Sequence, residues 1–126
     1  MNLHESGEMY LETIYVLSKE RANIRAIDVG DYMGYSKPSV SRAISILRNG
    51  GFVVTDDNGH LTLTDEGLTI AKKIYQRHLL LEEFLLHIGL DQETATNDAC
   101  KIEHAISDKT YLAIKKHLDL VSSVAD

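Results

Sequence analysis

The apolar positions open on a helical spacing. In SGEMYLETIYVLSKE, residues 6–20, Met9, Tyr10, Ile14 and Leu17 recur at helical intervals, and Ser6 is placed to cap the first turn. The short segment AIDVGDYMG ends at Gly34, a helix stop. SKPSVSRAISILRNGG then starts on Ser36 and Pro38, carries Val40, Ala43, Ile44 and Leu47 on one side, and closes at Gly50 and Gly51. FVVTDDNGHLTLT follows as two β-prone runs about Asp56–Gly59, and its Asn-Gly step is a strong local hairpin signal. Three helices and a hairpin, in that order, predict a winged helix-turn-helix. Thr64 or Asp65 caps a long helix that runs to Ile88, with Gly89 as its stop and Gly67 as an interruption of its first turn. Two further helices fit TATNDACKIEHAI and SDKTYLAIKKHL, the latter capped by Ser107 or Asp108, and the ending SSVAD reads as frayed. There is no repeat and no low-complexity segment. The expected fold is mainly α with a small β-hairpin wing: a winged helix-turn-helix over 1–63, then a helical domain over 64–126.

The long helix carries more apolar surface than one small domain hides. At about 100° per residue, Leu79, Leu80, Leu81, Phe84, Leu85, Leu86 and Ile88 cover far more than one stripe. A second copy is the simplest cover, which predicts a two-fold homodimer.

Composition adds bounds. With 126 residues, 44% apolar and 25% charged, the chain is sized and balanced to fold. No apolar run approaches the ~20 residues of a membrane span, and MNLHESGEMY lacks a basic n-region and an apolar h-region. A cytoplasmic protein with no membrane partner is expected. A single cysteine rules out an internal disulfide and suits a reducing compartment. The net charge of −6 argues against nucleic acid only until its distribution is read. From Tyr32 to Thr55 there is no acid, but there are Lys37, Arg42 and Arg48. From Glu82 to Glu103, Glu82, Glu83, Asp91, Glu93, Asp98 and Glu103 face Lys101 alone. One block suits an anion and the other a cation.

Candidate chemistry lies in both blocks. Ser36, Lys37, Pro38, Ser39, Ser41 and Arg42 begin the second helix of the helix-turn-helix, where side chains reach phosphates and base edges, and the fork of Arg42 suits guanine. In the acidic block Cys100, Glu103 and His104 stand at i, i+3 and i+4, within roughly 100° of arc on a helix. A thiolate, a carboxylate and an imidazole so placed form a ligand set for a divalent ion. His78 and Glu82, about 40° apart on their wheel, supply a second such pair. Taken alone, Met9 reads as core and Glu12 as a solvated acid. His4, His60, His87 and His117 lack partners at helical spacing and read as surface residues. A Cys–His nucleophile is conceivable, but Glu103 and the absence of an oxyanion-hole motif argue against an enzyme. A redox sensor acting through Cys100 is the competing class.

In their order along the chain, GEMYLETIY, SKPSVSRAI, the wing, QRHLLLEEFLLHIGLD and NDACKIEHAISD resemble the diphtheria toxin repressor family of iron- and manganese-dependent transcriptional regulators. The resemblance runs from Glu8 to about Leu118, and EMYL and CxxEHxxSD are its most specific pieces. It implies a homodimer that, loaded with divalent metal, binds inverted-repeat half-sites in double-stranded operator DNA and represses metal-uptake genes. By resemblance, the primary metal site of the iron-responsive branch falls on Met9, Cys100, Glu103 and His104, which reverses the core reading of Met9. The branch's ancillary site matches His78 and Glu82, has a further histidine where this chain has Thr96, and draws on a third, SH3-like domain absent here. The manganese-responsive branch commonly has two domains, as here. It uses acids in the first helix and at the cysteine position; Glu12 matches one, while Met9 and Cys100 replace the others. The chain thus joins a manganese-type architecture to iron-type ligands. Soft sulfur donors favour Fe²⁺ as the expected cofactor, with Mn²⁺ the alternative and Co²⁺, Ni²⁺ or Zn²⁺ able to substitute in vitro.

Overall fold

The computed structural model describes residues 5–125, with side chains as far as Val121; His4 and Asp126 lie outside the described residues. Among the described residues, six helices and one hairpin follow in the order α1 (Glu5–Glu20), α2 (Ala26–Met33), α3 (Lys37–Asn49), β1 (Val53–Thr55), β2 (Leu61–Leu63), α4 (Asp65–His87), α5 (Gln92–Ile102) and α6 (Asp108–Ala125). The fold class is the expected one, mainly helical with a two-stranded wing. Contacts divide the chain into two compact units after Lys73, inside α4.

In the first unit, α1 turns Tyr10, Leu11, Ile14 and Leu17 inward against Val29 of α2 and Val40, Ile44 and Leu47 of α3. Their spacing, i, i+1, i+4 and i+7, is the stripe that lets an amphipathic helix bury one face. Gly34 ends α2 in the left-handed region, at φ 74°, where a side chain costs energy, and its N–H donates to the Gly30 carbonyl. Two residues on, the Ser36 hydroxyl accepts from the Ser39 N–H and starts α3, with Pro38 in the first turn. β1 and β2 pair antiparallel, Val53 opposite Leu63, Val54 opposite Thr62 and Thr55 opposite Leu61. At the wing tip the Asp56 carboxylate accepts from the Asn58 and His60 N–H groups and contacts His60 Nδ1 at 3.1 Å. These bonds, the His60 N–H first, hold the Asp56 carboxyl below its ordinary range. His60, read as partnerless from helical spacing, therefore has its partner across the turn.

Several limits depart from expectation, among them α5, expected over 94–106 and found at Gln92–Ile102. α1 already includes Glu5, so Ser6 lies within the helix instead of capping it. Gly67 does not interrupt α4. A Cβ there would stand 2.1 Å from the Phe52 carbonyl oxygen, so the glycine admits the close approach of helix and wing strand. The cap of α4 is Thr64, whose hydroxyl accepts from the Gly67 N–H and donates to the Gly51 carbonyl. The stretch expected to fray continues as helix to Ala125.

In the second unit, Leu81 and Leu85 of α4 meet Ala95 and Ala99 of α5, with Phe84, Leu90, Ile102, Ile106 and Ile114 packed around them. Asp91 caps α5 by accepting from the Thr94 N–H. The Ser107 hydroxyl accepts from the Thr110 N–H at the start of α6. The leucine-rich run is only partly hidden: Leu81 is buried, while Leu79, Leu86 and Ile88 remain exposed, as do Leu112 and Leu120 of α6. Among the described residues no helix is long and apolar enough to cross a membrane.

Candidate functional site

The second unit assembles its chemistry around His78, about one turn into its share of α4. Nε2 of His78 lies 3.0 Å from Glu82 Oε2 on the next turn of the same helix. Nδ1 points the other way, 2.9 Å from Glu103 Oε2 and 3.6 Å from Cys100 Sγ. The other oxygen of Glu103, Oε1, is 3.3 Å from His104 Nε2. Glu103 is fully buried, an expensive place for a carboxylate without partners, and here two imidazole rings approach it, His78 within hydrogen-bond distance. The same contacts, Cys100 first and then Glu103, push the His78 imidazole up to about 11 against the opposing effect of burial.

The CxxEH spacing is realised with a difference. α5 ends at Ile102, so only Cys100 lies within the helix, while Glu103 is its C-cap and His104 belongs to the turn beyond. The Glu103 backbone keeps right-handed helical angles, and its N–H still donates to Ala99, which preserves the direction in which its side chain leaves. The two ligand sets that sequence spacing keeps apart, His78 with Glu82 and Cys100 with Glu103 and His104, form one chain of contacts through His78 and Glu103. Met9 and Glu12 lie half-buried on α1 in the first unit.

The donor atoms fit a divalent ion. An imidazole nitrogen of His78, the sulfur of Cys100 and a carboxylate oxygen of Glu103 all lie within 4.8 Å of one another. A nitrogen, a thiolate and an oxygen so gathered suit Fe²⁺, Co²⁺ or Zn²⁺.

Two sets of neighbours escaped the sequence. Glu82 is gripped by α5: Gln92 Nε2 donates to its Oε1 at 2.9 Å and the Thr96 hydroxyl to its Oε2 at 3.2 Å. Arg77 is buried and donates to the carbonyls of Glu103 and Ile106, pairs with Asp108 and lies over the Tyr111 ring at 5.4 Å. It thereby braces the turn that carries Glu103 and His104. A signal for Arg77 existed: it falls on the buried stripe of Ile74, Leu81 and Leu85, where a lone cation needs a reason.

In the first unit, Ser36, Lys37, Pro38, Ser41 and Arg42 are exposed along the start of α3, and Ser39 is half-buried. The Ser36 hydroxyl donates to Ser39 Oγ at 3.0 Å, and an Arg42 guanidinium nitrogen donates to the same oxygen at 3.5 Å. The result is a polar, cationic helix start in a stretch without acids.

Comparison with known proteins places the chain. Residues 2–61 match the iron dependent repressor N-terminal DNA binding domain, and residues 64–123 match the iron dependent repressor metal binding and dimerisation domain. The HTH-type transcriptional regulator MntR of Lysinibacillus sphaericus (strain C3-41) is 35% identical over 116 residues, 92% of this chain and 81% of that protein. The diphtheria toxin repressor of Corynebacterium diphtheriae (strain ATCC 700971 / NCTC 13129 / Biotype gravis) is 33% identical over 122 residues, 96% of this chain but 54% of that protein. The solved structure of the manganese regulator SloR superposes with a TM-score of 0.81 at 29% identity, covering 94% of this chain and 55% of that one. The chain thus spans about half the length of the diphtheria toxin repressor and of SloR. It belongs to the diphtheria toxin repressor family of metal-dependent transcriptional repressors, which includes iron-dependent and manganese regulators. These relatives are regulators of transcription, not enzymes.

Proposed function

We propose that the protein is a cytoplasmic repressor that binds operator DNA as a homodimer when loaded with a divalent ion, Fe²⁺ by preference, and so controls metal-uptake genes. The observation that carries this is the convergence of His78, Cys100 and Glu103 on one point of a chain whose other unit is a winged helix-turn-helix. Cys100, Glu103, His104 and His78 hold the ion, and Met9 and Glu12 join them as the family resemblance implies. The division of labour is DNA binding in 1–63 and metal binding and dimerisation in 64–126. Sulfur donors favour Fe²⁺ over Mn²⁺, and Mn²⁺ is the alternative. The exposed Leu79, Leu86, Ile88, Leu112 and Leu120 support a second copy as their cover. Ser36, Lys37, Pro38, Ser39, Ser41 and Arg42 meet the DNA, with Arg42 reading a base edge. A dimer sets two such helices on inverted half-sites. When bound, the ion would supply a common centre for its ligands, and its binding is linked to DNA binding. Coupling of about 1–3 kcal/mol changes operator affinity roughly 5–150-fold, and linkage requires DNA to tighten metal binding equally.

The test is anaerobic fluorescence anisotropy on DNA selected from a random pool, titrated with Fe²⁺, then Mn²⁺, then chelator. Reversible metal-dependent binding, with an earlier midpoint for Fe²⁺, is expected; DNA binding indifferent to both ions would sink the reading. A second reading, redox sensing, is favoured by the 3.6 Å contact of Cys100 with His78, which sets the single cysteine beside an imidazole. It requires peroxide to release DNA from the wild type and not from Cys100→Ala.

A further inference from the structure

Glu82 has the chemistry of a metal ligand and the surroundings of something else. Both of its carboxylate oxygens are engaged by protein donors. Oε1 takes Gln92 Nε2, while Oε2 takes both the Thr96 hydroxyl and His78 Nε2. Gln92 also donates to Thr96 at 3.0 Å, so the two α5 residues brace each other as well as the carboxylate. For Glu82 and His78 Nε2 to hold an ion together, the Nε2 contact must be surrendered and the grip of α5 loosened. Meanwhile the other ring nitrogen, Nδ1, faces Cys100 and Glu103.

We propose that Glu82 is a positioning residue rather than a ligand: clamped by Gln92 and Thr96, it accepts the Nε2 proton of His78 and thereby commits Nδ1 to the ion held with Cys100 and Glu103. The inference rests on the metal-binding reading above. Its physical basis is general. An imidazole has two nitrogens, and a carboxylate that accepts from one leaves the lone pair of the other for the ion while fixing the plane of the ring. The clamp matters because a glutamate with free rotamers would itself compete for a cation a few ångströms away. Gln92 and Thr96 hold it in the outer position.

The assignment predicts a sign that ligation by Glu82 reverses. Anaerobic Co²⁺ titration of the intact protein, read by the thiolate-to-cobalt charge-transfer band and the visible ligand-field spectrum, gives both affinity and donor set. In a variant joining Gln92→Ala to Thr96→Val, the clamp is lost while every proposed ligand remains. Affinity is expected to fall, by up to about tenfold, the lower end for outer partners of metal ligands, and Thr96→Ser alone should retain wild-type affinity. Glu82→Ala should weaken Co²⁺ by about 10–100-fold with the ligand-field spectrum at saturation unchanged. If Glu82 is a ligand, freeing it from the clamp raises affinity or adds a bound ion, and its removal alters the spectrum; either result overturns the proposal, as does unchanged affinity in the clamp variant. Far-UV circular dichroism identifies a variant that has failed to fold, and the clamp variant, altered at one exposed and one half-buried position, then decides alone. A wild-type protein without a thiolate band overturns the underlying metal reading itself, which separates the two failures.

Discussion

The start of α3 and the cluster around His78 are both polar, and they are built in opposite ways. The first is local: Ser36, Lys37, Ser39 and Arg42 lie within seven residues at one helix start, all exposed but the half-buried Ser39, and organised by a cap and two hydroxyl contacts. The second gathers His78 and Glu82 from α4, Cys100 from α5, and Glu103 and His104 from the turn after it, around a fully buried carboxylate. Beyond its cap, a surface built locally changes its partner's affinity without disturbing its own fold. A buried cluster drawn from several elements shares its energetics with the core that holds them.

Substitutions separate these two behaviours. The largest expected effect is at Leu81, fully buried between α4 and α5 on the helix that carries His78. Leu81→Ala should cost about 2–5 kcal/mol in urea denaturation and weaken metal binding with it. A variant with wild-type metal affinity and this loss of stability would break the link between core and cluster. At the other site, Arg42→Ala should weaken operator binding by about 1–3 kcal/mol, measured by anisotropy, and leave stability and metal affinity where they were. A change in metal affinity alone would mean that the recognition face has been misplaced. Ser36→Ala tests the local cap and should lower stability by about 1 kcal/mol, with Ser36→Gly losing less.

The remaining effect is one of direction. His78 is raised to about 11 in the folded protein against an ordinary value of 6.5. Its contribution to stability is therefore complete below pH 6.5 and is lost as pH rises through about 11. In chelator, urea midpoints should decline across that window, and His78→Gln should remove part of the decline. Binding an ion through Nδ1 requires release of the same proton, so Co²⁺ affinity should rise with pH over the same range.

Much of the first unit is legible because its determinants are adjacent in sequence. Gly34, the Ser36 cap and the Asn-Gly turn each act within a few residues, and the structure places an element boundary at each. The pairing of His78 with Glu82 follows from helical spacing in the same way and is met at 3.0 Å. What spacing does not reveal is distance across elements. His78 meets Cys100 and Glu103 over 22 and 25 residues, a contact fixed by how α4 packs on α5. The grip of Gln92 and Thr96 on Glu82 has the same origin. Gly67 was misread for a related reason: a glycine near a helix start suggests a break, but the Phe52 carbonyl it admits is distant in sequence.

The Arg77 brace bears on how fast the cluster fills. Its partners are the carbonyls of Glu103 and Ile106 and the side chain of Asp108, none of them a donor atom of the cluster. The turn bearing Glu103 and His104 is thus held whether or not an ion is bound, and little chain ordering remains to be completed on capture. Uptake is then expected to be paced by proton departure from the imidazole, a step that buffer bases would accelerate. Loosening the brace by Arg77→Lys would shift the delay to backbone rearrangement, and the dependence of the association rate on buffer concentration would flatten.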